Sequence, residues 1–166
     1  MDMSQLSPVL IIGVGNDYRS DDAVGLAVVR TLKTKELPGI LCLESDGDGT
    51  TLIDTWSHAS RVIIIDAISS GAQPGTVYRF DAQPGTVYRF DALIQQLPAS
   101  YSFSSTHAFG VAEAIQLART LDQLPASFIV YGIEGKKFVA GTELSPEVER
   151  AVQEVVELVE REVHVS

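Results

Sequence analysis

Short apolar runs alternate with amphipathic segments along the chain. The runs at 9–12, 40–43, 62–65 and 128–131 are rich in β-branched residues and predict strands. Apolar residues recur at helical spacing after Asp21, around 52–56 and 109–121, and from Pro146 onward, which predicts helices. The run at 62–65 is continuously apolar, as is typical of a parallel strand covered on both faces. The alternation predicts an α/β protein, an open sheet with helices on both faces.

Polar side chains that follow the strands are the first candidates for a site, because the crevice of such a sheet lies at the carboxyl ends of its strands. Asp21 is the better helix cap of two adjacent acids, which leaves Asp22 to project toward the crevice. Asp66 follows the run at 62–65, and His107 lies in a loop before a predicted helix. Each also has a purely structural interpretation, but together they can form a cluster of two carboxylates and one histidine. Such ligands suit a divalent ion such as zinc or nickel.

Three other kinds of site fit the sequence poorly. The turn at 13–16 has the glycines of a dinucleotide-binding turn, but Tyr18 stands where the third glycine is required. Neither the His-Glu-x-x-His motif of zinc proteases nor the Gly-x-Ser-x-Gly elbow of hydrolases is present. A catalytic triad that uses Ser104 or Ser105 with His107 stays open, although so short a spacing is unusual for a nucleophile and its base.

One ten-residue unit occurs twice in tandem. Residues 72–81 and 82–91 both have the sequence Ala-Gln-Pro-Gly-Thr-Val-Tyr-Arg-Phe-Asp. Each copy has a Pro-Gly turn signal followed by a strand pattern, and the even shift presents the same face to a sheet. We expect one copy to form an edge strand and the other a hairpin partner or a projecting loop. Both lie within a single predicted domain, 1–166.

Composition excludes several classes of protein. The formal net charge is −10, from 12 basic and 22 acidic residues, which disfavours nucleic-acid binding because a phosphate backbone requires a basic surface. No apolar run reaches the roughly 20 residues that cross a bilayer. The only cysteine is Cys42, and the N-terminal residues lack the basic region of a signal peptide. We therefore expect a cytoplasmic protein with no membrane or nucleic-acid partner, and the charged outer faces of the predicted amphipathic helices favour a monomer.

Four short motifs follow one another along the chain. They are Ile-Ile-Gly-Val-Gly-Asn at 11–16, Arg-Ser-Asp-Asp-Ala-Val-Gly at 19–25, Ile-Ile-Ile-Asp-Ala-Ile at 63–68 and Ser-Thr-His-Ala-Phe-Gly at 105–110. In this order and approximate spacing, the set resembles the hydrogenase maturation endopeptidases of the nickel–iron hydrogenases. The resemblance extends from Val9 to about Val163. It implies a three-layer α/β/α sandwich around a twisted, mostly parallel sheet.

The resemblance also implies an activity and a site. The family removes a short C-terminal extension from the hydrogenase large-subunit precursor after nickel has been inserted. Its nickel-contacting residues fall on Asp22, Asp66 and His107, which are also the catalytic candidates. Nickel is then carried by the substrate as a recognition mark, held more strongly by the substrate's thiolates, and no resident cofactor is expected. Either this nickel activates the scissile carbonyl or water, or Asp22 or Asp66 acts as general base.

The chain departs from the family pattern in two places, and other functions stay open. The tandem repeat has no counterpart in the family. The loop 45–50 matches only loosely the family's glycine-rich loop, where Asp46 or Asp48 is a candidate for substrate specificity. A nickel-dependent chaperone of the same precursor would need the same three site residues and would differ only in not cutting. A different peptidase of this fold, such as one that acts on spore proteins, fits the motif set less well. A plain metal-binding domain is disfavoured because the ligand set is open and contains no thiolate.

Overall fold

The computed structural model describes residues 8–81, 102–103 and 110–164. The strands are β1 (Val9–Val14), β2 (Ile40–Ser45), β3 (Arg61–Ser69), β4 (Val77–Asp81), β5 (Ser102–Phe103) and β6 (Ser127–Glu134). The helices are α1 (Val24–Thr34), α2 (Gly49–Trp56), α3 (Val111–Thr120) and α4 (Pro146–His164), and a 3₁₀ helix at Ser20–Ala23 precedes α1. All four strands predicted from apolar runs are present, and each is longer than its run.

The strands form one six-stranded sheet. Its order is β2-β1-β3-β6-β4, and β5 pairs with β3 outside that path. β1 is parallel to β2 and β3, and β3 is parallel to β6, whereas β4 and β5 pair antiparallel with β6 and β3. The chain moves outward from β1 to β2 and then returns past β1 to β3, so the strand order reverses between β1 and β3. Ligands of open α/β sheets bind at the carboxyl ends of the strands at such a reversal.

Helices cover both faces of this sheet. α1 and α4 pack on one face, where Ile63 and Ile65 of β3 meet Val155 of α4 in the same core cluster. α2 and α3 pack on the other face, where Ile64 belongs to a cluster with Trp56 of α2. The alternation of odd and even β3 residues between the two clusters follows from the strand period of two. The predicted α/β fold, a three-layer sandwich with a mostly parallel sheet, is confirmed.

The first copy of the tandem repeat forms the edge strand β4. Its turn is closed by the Thr76 N–H, which donates to the Gln73 carbonyl oxygen at 3.1 Å. β4 then pairs antiparallel with β6 and is the outermost strand on that side of the sheet among the described residues. The prediction that one copy makes an edge strand is therefore confirmed. The second copy, 82–91, lies outside the described residues, and its arrangement stays a prediction.

The last helix, α4, begins at Pro146 as predicted. Its buried residues, which face the sheet and α1, are Val148, Ala151, Val155, Val156 and Val159. Near its end, the Glu162 carboxylate accepts hydrogen bonds from Arg79 Nη2 at 2.6 Å and from the Tyr131 hydroxyl at 2.9 Å. These bonds fasten the end of α4 to β4 and β6. Within the three described ranges, no helix has the length and apolar character needed to cross a membrane.

Candidate active site

Asp66 lies where the strand order reverses. β3 is longer than its apolar run predicts, because β6 continues to pair with it beyond that run; Asp66 is therefore inside the strand, opposite Gly132. On the other side, the register between β1 and β3 ends at Gly13 opposite Ile65. Asp66 is thus the first residue of β3 beyond its pairing with β1. Asp66 therefore lies at the point where the pairing of β1 with β3 ends.

The carboxyl group of Asp66 is completely buried but only half satisfied. Oδ1 accepts a hydrogen bond from the Ala67 N–H at 2.8 Å, whereas Oδ2 has no hydrogen-bond partner among the described residues. Burial, and then the negative charge of Asp22, raise the pKa of Asp66 well above its usual value, and the Ala67 bond opposes them. A buried acceptor without a partner costs about 1–3 kcal/mol. Asp66 Oδ2 is therefore an atom that a ligand could satisfy.

Asp22 reaches the same edge from the 3₁₀ helix that follows β1. Asp22 is only 5% exposed to solvent, and its Oδ2 atom lies 3.6 Å from Arg19 Nη1. Its charge raises the pKa of Asp66, so the two carboxyl groups are close enough to interact. Arg19 Nη2 also donates to the Phe138 carbonyl oxygen at 3.3 Å, which links Asp22 to the loop after β6.

Close backbone packing holds the start of α1 against β1 and β3. A Cβ atom on Gly25 would lie 2.3 Å from the Ile65 carbonyl oxygen and 2.4 Å from that of Val14. A Cβ atom on Gly13 would lie 2.3 Å from the Gly25 carbonyl oxygen. Atoms do not approach this closely without a bond, so glycine is required at both positions. These glycines therefore set how near Asp22 comes to β3.

Asp21 does not cap a helix, and that prediction is wrong. Its completely buried carboxylate accepts hydrogen bonds from the N–H groups of Lys136 and Lys137, each at 2.8 Å, and from the N–H and hydroxyl of Ser145, at 2.7 and 2.8 Å. Burial raises the pKa of Asp21, but these four bonds outweigh it and hold the pKa below its usual value. Asp21 therefore fastens the loop 135–145 to the segment that carries Asp22.

Glu134, at the end of β6, is a buried acid outside the predicted site. Its carboxylate accepts hydrogen bonds from the N–H and hydroxyl of Ser70, at 2.9 and 2.7 Å, and from the Gly71 N–H at 3.1 Å. It fastens the turn that follows β3. The sequence pattern that indicates Asp66 is an acid that follows an apolar run, and Glu134 follows the run at 128–131 in a similar way.

The loop after β2 contains two acids, Asp46 and Asp48, and Asp48 caps a helix. Asp48 accepts hydrogen bonds from the Thr51 N–H at 3.0 Å and from the Thr51 hydroxyl at 2.7 Å, and so caps the start of α2. Asp46 accepts from the Asp48 N–H at 3.0 Å. A contribution of this loop to substrate specificity stays a prediction.

The third predicted site residue, His107, lies outside the described residues, as do Ser104 and Ser105 of the alternative triad. In the part of the chain that is described, no group of three or more His, Cys, Asp and Glu side chains is arranged to hold a metal ion. The described site is therefore a pair of carboxyl groups, Asp22 and Asp66, at the strand-order reversal.

Hydrogenase maturation proteases are among the known proteins to which this chain is similar. The family model of that description matches residues 26–162. The solved nickel–iron hydrogenase maturation protease HybD from Thermococcus kodakarensis is 30% identical, with a TM-score of 0.66 over 93% of this chain and 97% of that chain. Hydrogenase 2 maturation protease from Escherichia coli is 25% identical over 91% of this chain and 87% of its own length. The hydrogenase maturating endopeptidase HybD from E. coli, at 22% identity, has the same fold, with a TM-score of 0.71 over 92% and 89% of the two chains.

Proposed function

Because the chain belongs to the hydrogenase maturation protease family, we propose that it is the endopeptidase that removes the C-terminal extension of a nickel–iron hydrogenase large-subunit precursor after nickel insertion. The nickel on the precursor is the mark that it recognises. One observation carries this proposal: Asp66 Oδ2 is buried, has no hydrogen-bond partner among the described residues, and belongs to a carboxyl group that interacts with Asp22.

The carboxyl pair suits a cation that arrives with a substrate. A cation between Asp22 and Asp66 would provide the partner that Asp66 Oδ2 lacks, and it would offset the repulsion of the two charges. Carboxylate and imidazole ligands hold nickel less strongly than the thiolates that the precursor's cysteines would supply. The donor set therefore supports a nickel ion that stays with the precursor, with no resident cofactor.

We assign the third nickel contact to His107, on the basis of its described neighbours. α3, which begins four residues after His107, packs on the sheet face toward which the even-numbered residues of β3 point, Asp66 among them. The backbone of Phe103 pairs with Ile68, two residues beyond Asp66. Three residues lie between Phe103 and His107, and the four Cα–Cα steps span at most about 14 Å. These described neighbours and the short connection support His107 as the third contact to the precursor's nickel.

Two roles follow for the chain's own groups during peptide cleavage. Asp22, Asp66 and His107 contact the nickel on the precursor and so hold the adjacent scissile peptide at the crevice. The proton of the attacking water is then taken by one of the two carboxylates as general base, or the nickel itself polarises the scissile carbonyl or activates the water. In both cases Arg19 lies beside Asp22 and partly balances its charge.

Intact-mass analysis separates this activity from binding alone. The nickel-loaded precursor and its nickel-free form are each incubated with the chain and with the His107→Ala variant. We expect loss of a C-terminal peptide only from the nickel-loaded precursor, and only when His107 is intact. A stable complex without loss of mass would instead indicate a nickel-dependent chaperone. Cleavage of the nickel-free precursor at the same rate would contradict recognition through nickel.

A further inference from the structure

The Arg19 guanidinium lies between Asp22 and the loop that follows β6. Its Nη1 atom is 3.6 Å from Asp22 Oδ2, and its Nη2 atom donates a hydrogen bond to the Phe138 carbonyl oxygen at 3.3 Å. The Arg19 side chain is 29% exposed and Asp22 is buried, so salt screens this ion pair less than it would an exposed pair. Arg19 therefore connects Asp22 to a residue 119 positions further along the chain than itself.

The backbone between Arg19 and Asp22 has a conformation that residues other than glycine rarely adopt. Ser20 has a φ of +53, in the left-handed region. Its N–H donates to the Gly141 carbonyl oxygen at 2.9 Å, and its hydroxyl donates to the Val139 carbonyl oxygen at 2.9 Å. Costly backbone conformations that the surrounding structure maintains are concentrated at functional sites. The bonds of Ser20 thus fix the turn across which Arg19 and Asp22 approach each other.

Phe138, whose carbonyl oxygen accepts from Arg19, is itself held in place. Its partly buried side chain packs against the core cluster on the α1 and α4 face of the sheet. A Cβ atom on Gly135 would lie 2.4 Å from Phe138 Cζ, so the ring lies directly over that glycine. The preceding residue, Lys137, donates its N–H to Asp21 Oδ2 at 2.8 Å and accepts from the Asp21 N–H at 3.0 Å. The Phe138 carbonyl oxygen is therefore a fixed acceptor.

The two contacts of Arg19 use different nitrogen atoms of one planar group. A guanidinium presents its N–H donors in a rigid fork, so an acceptor that holds one nitrogen also sets the position of the other. The ammonium group of a lysine is a compact point charge, and one nitrogen atom cannot reproduce both contacts. Arg19 is therefore suited to orient the Asp22 carboxylate, in addition to placing a positive charge beside it.

We propose that Arg19 is a positioning residue for peptide cleavage, which holds the Asp22 carboxylate in the orientation that contacts the precursor's nickel. This inference rests on the proposed function. The Phe138 carbonyl oxygen is the fixed point, and the guanidinium transmits its position to Asp22. A displacement of about 1 Å in a reacting site can cost about 100-fold in rate, so the loss of one arm of the fork should be measurable.

A double-mutant cycle on the full-length chain tests this role, with Arg19→Lys, Asp22→Asn and the double variant. The measured quantities are the Kd for the nickel-loaded precursor and its initial rate of cleavage, followed by intact mass. Arg19→Lys keeps the charge but loses one arm of the fork, so Kd should rise about threefold and the rate should fall about tenfold. Asp22→Asn should have the larger effect. Addition of Arg19→Lys to Asp22→Asn should then change Kd no further, because Arg19 acts through Asp22.

Arg79→Lys is the matched control. The Arg79 guanidinium also uses two nitrogen atoms, Nε and Nη2, which donate to the Glu162 carboxylate at 3.2 and 2.6 Å. It lies on β4, and neither of these contacts involves Asp22 or Asp66. Arg79→Lys should therefore keep the wild-type Kd and cleavage rate. The melting temperature of Arg19→Lys should fall no further than that of Arg79→Lys, so lost stability would not explain slower cleavage.

The outcomes separate this inference from the proposed function. If the wild type cuts the precursor and Arg19→Lys cuts it equally fast, the positioning role is wrong and the endopeptidase function stands. Effects on Kd that multiply in the double variant would also overturn the role, because Arg19 would then act independently of Asp22. If the wild type binds without cutting, the endopeptidase function is wrong, whereas a double variant with the Kd of Asp22→Asn still supports Arg19. Failure of the wild type to bind the precursor would overturn both.

Discussion

Asp66 and Glu134 are buried acids on adjoining parallel strands, and they differ in how far their carboxyl groups are satisfied. Glu134 lies two positions beyond Gly132, the register partner of Asp66. The Glu134 carboxylate accepts hydrogen bonds from Ser70 and Gly71. Within the described residues, Oδ1 of Asp66 accepts a hydrogen bond from the Ala67 N–H and Oδ2 has no hydrogen-bond partner. Buried polar groups are normally paired, so an unpaired one calls for an explanation. Glu134 maintains the fold, and Asp66 is available to a ligand.

Amide substitutions should distinguish these two roles by stability. Glu134→Gln puts an NH₂ group where a carboxylate oxygen accepts from Ser70 or Gly71, so the free energy of unfolding should fall by about 1–3 kcal/mol. Asp66→Asn replaces a buried carboxyl group whose charged form is disfavoured by burial and by Asp22, so it should leave stability unchanged or raise it. Urea unfolding of both variants measures the difference. A larger loss for Asp66→Asn than for Glu134→Gln would contradict these assignments.

Removal of the Asp21 carboxylate should weaken both the fold and the site. Asp21→Ala leaves the N–H groups of Lys136, Lys137 and Ser145 without their acceptor, so stability should fall by about 3 kcal/mol or more. Precursor cleavage should also slow, because the segment carrying Asp22 loses its attachment. The control is Asp54→Ala on the exposed side of α2, which should change stability by less than about 0.5 kcal/mol. Equal melting temperatures for the two variants would contradict the role of Asp21.

The close approach of α1 to the sheet makes Gly25 sensitive to a single methyl group. Gly25→Ala would place Cβ 2.3 Å from the Ile65 carbonyl oxygen, so α1 must move away. We expect a loss of stability of several kcal/mol, about the size of an overpacked core, together with loss of precursor cleavage. Gly39→Ala is the control, because Gly39 has φ +71 but no atom within 4 Å of an added Cβ, and should cost only about 1–2 kcal/mol. Calorimetry that ranks Gly39→Ala as the more damaging change would contradict this explanation.

The Arg79–Glu162 pair should stabilise the fold in a pH-dependent way. The hydrogen bond from Arg79 is the largest cause that holds the pKa of Glu162 below its usual value. An acid whose pKa is lower in the folded state stabilises that state above its unfolded pKa, about 4.3 for glutamate. That contribution is lost as the pH falls through the lower, folded pKa. The stability difference between the wild type and Arg79→Gln should therefore be greatest above about pH 5, at about 1 kcal/mol or less, and shrink toward pH 3. A difference that is constant in urea unfolding from pH 7 to pH 3 would contradict it.

Local patterns were sufficient to predict the layers of the fold. The apolar runs are the cores of β1, β2, β3 and β6, because strand and helix periods are properties of neighbouring residues. Asp66 follows its apolar run as expected, but it lies inside β3 and not at the end of the strand. The last helix was likewise found from Pro146 and its valine stripe.

Features that depend on distant partners were not predictable in the same way. Asp21 resembles a helix cap locally, but its carboxylate binds Ser145, 124 residues away. The full length of β3 depends on β6, which continues to pair with it through Ile68 opposite Glu134. The glycine motifs were recognised as a family pattern, whereas the contact between Gly25 and Ile65 that requires them is visible only in the folded chain.

The central claim is that the unpaired carboxyl group of Asp66 serves the substrate and not the fold. The most direct measurement is the rate at which Asp66→Asn cleaves the nickel-loaded large-subunit precursor, followed by intact mass beside the wild type and Glu134→Gln. We predict that Asp66→Asn cleaves at least about 100-fold more slowly than the wild type while its melting temperature is unchanged or higher. Cleavage by Asp66→Asn at the wild-type rate would contradict the claim.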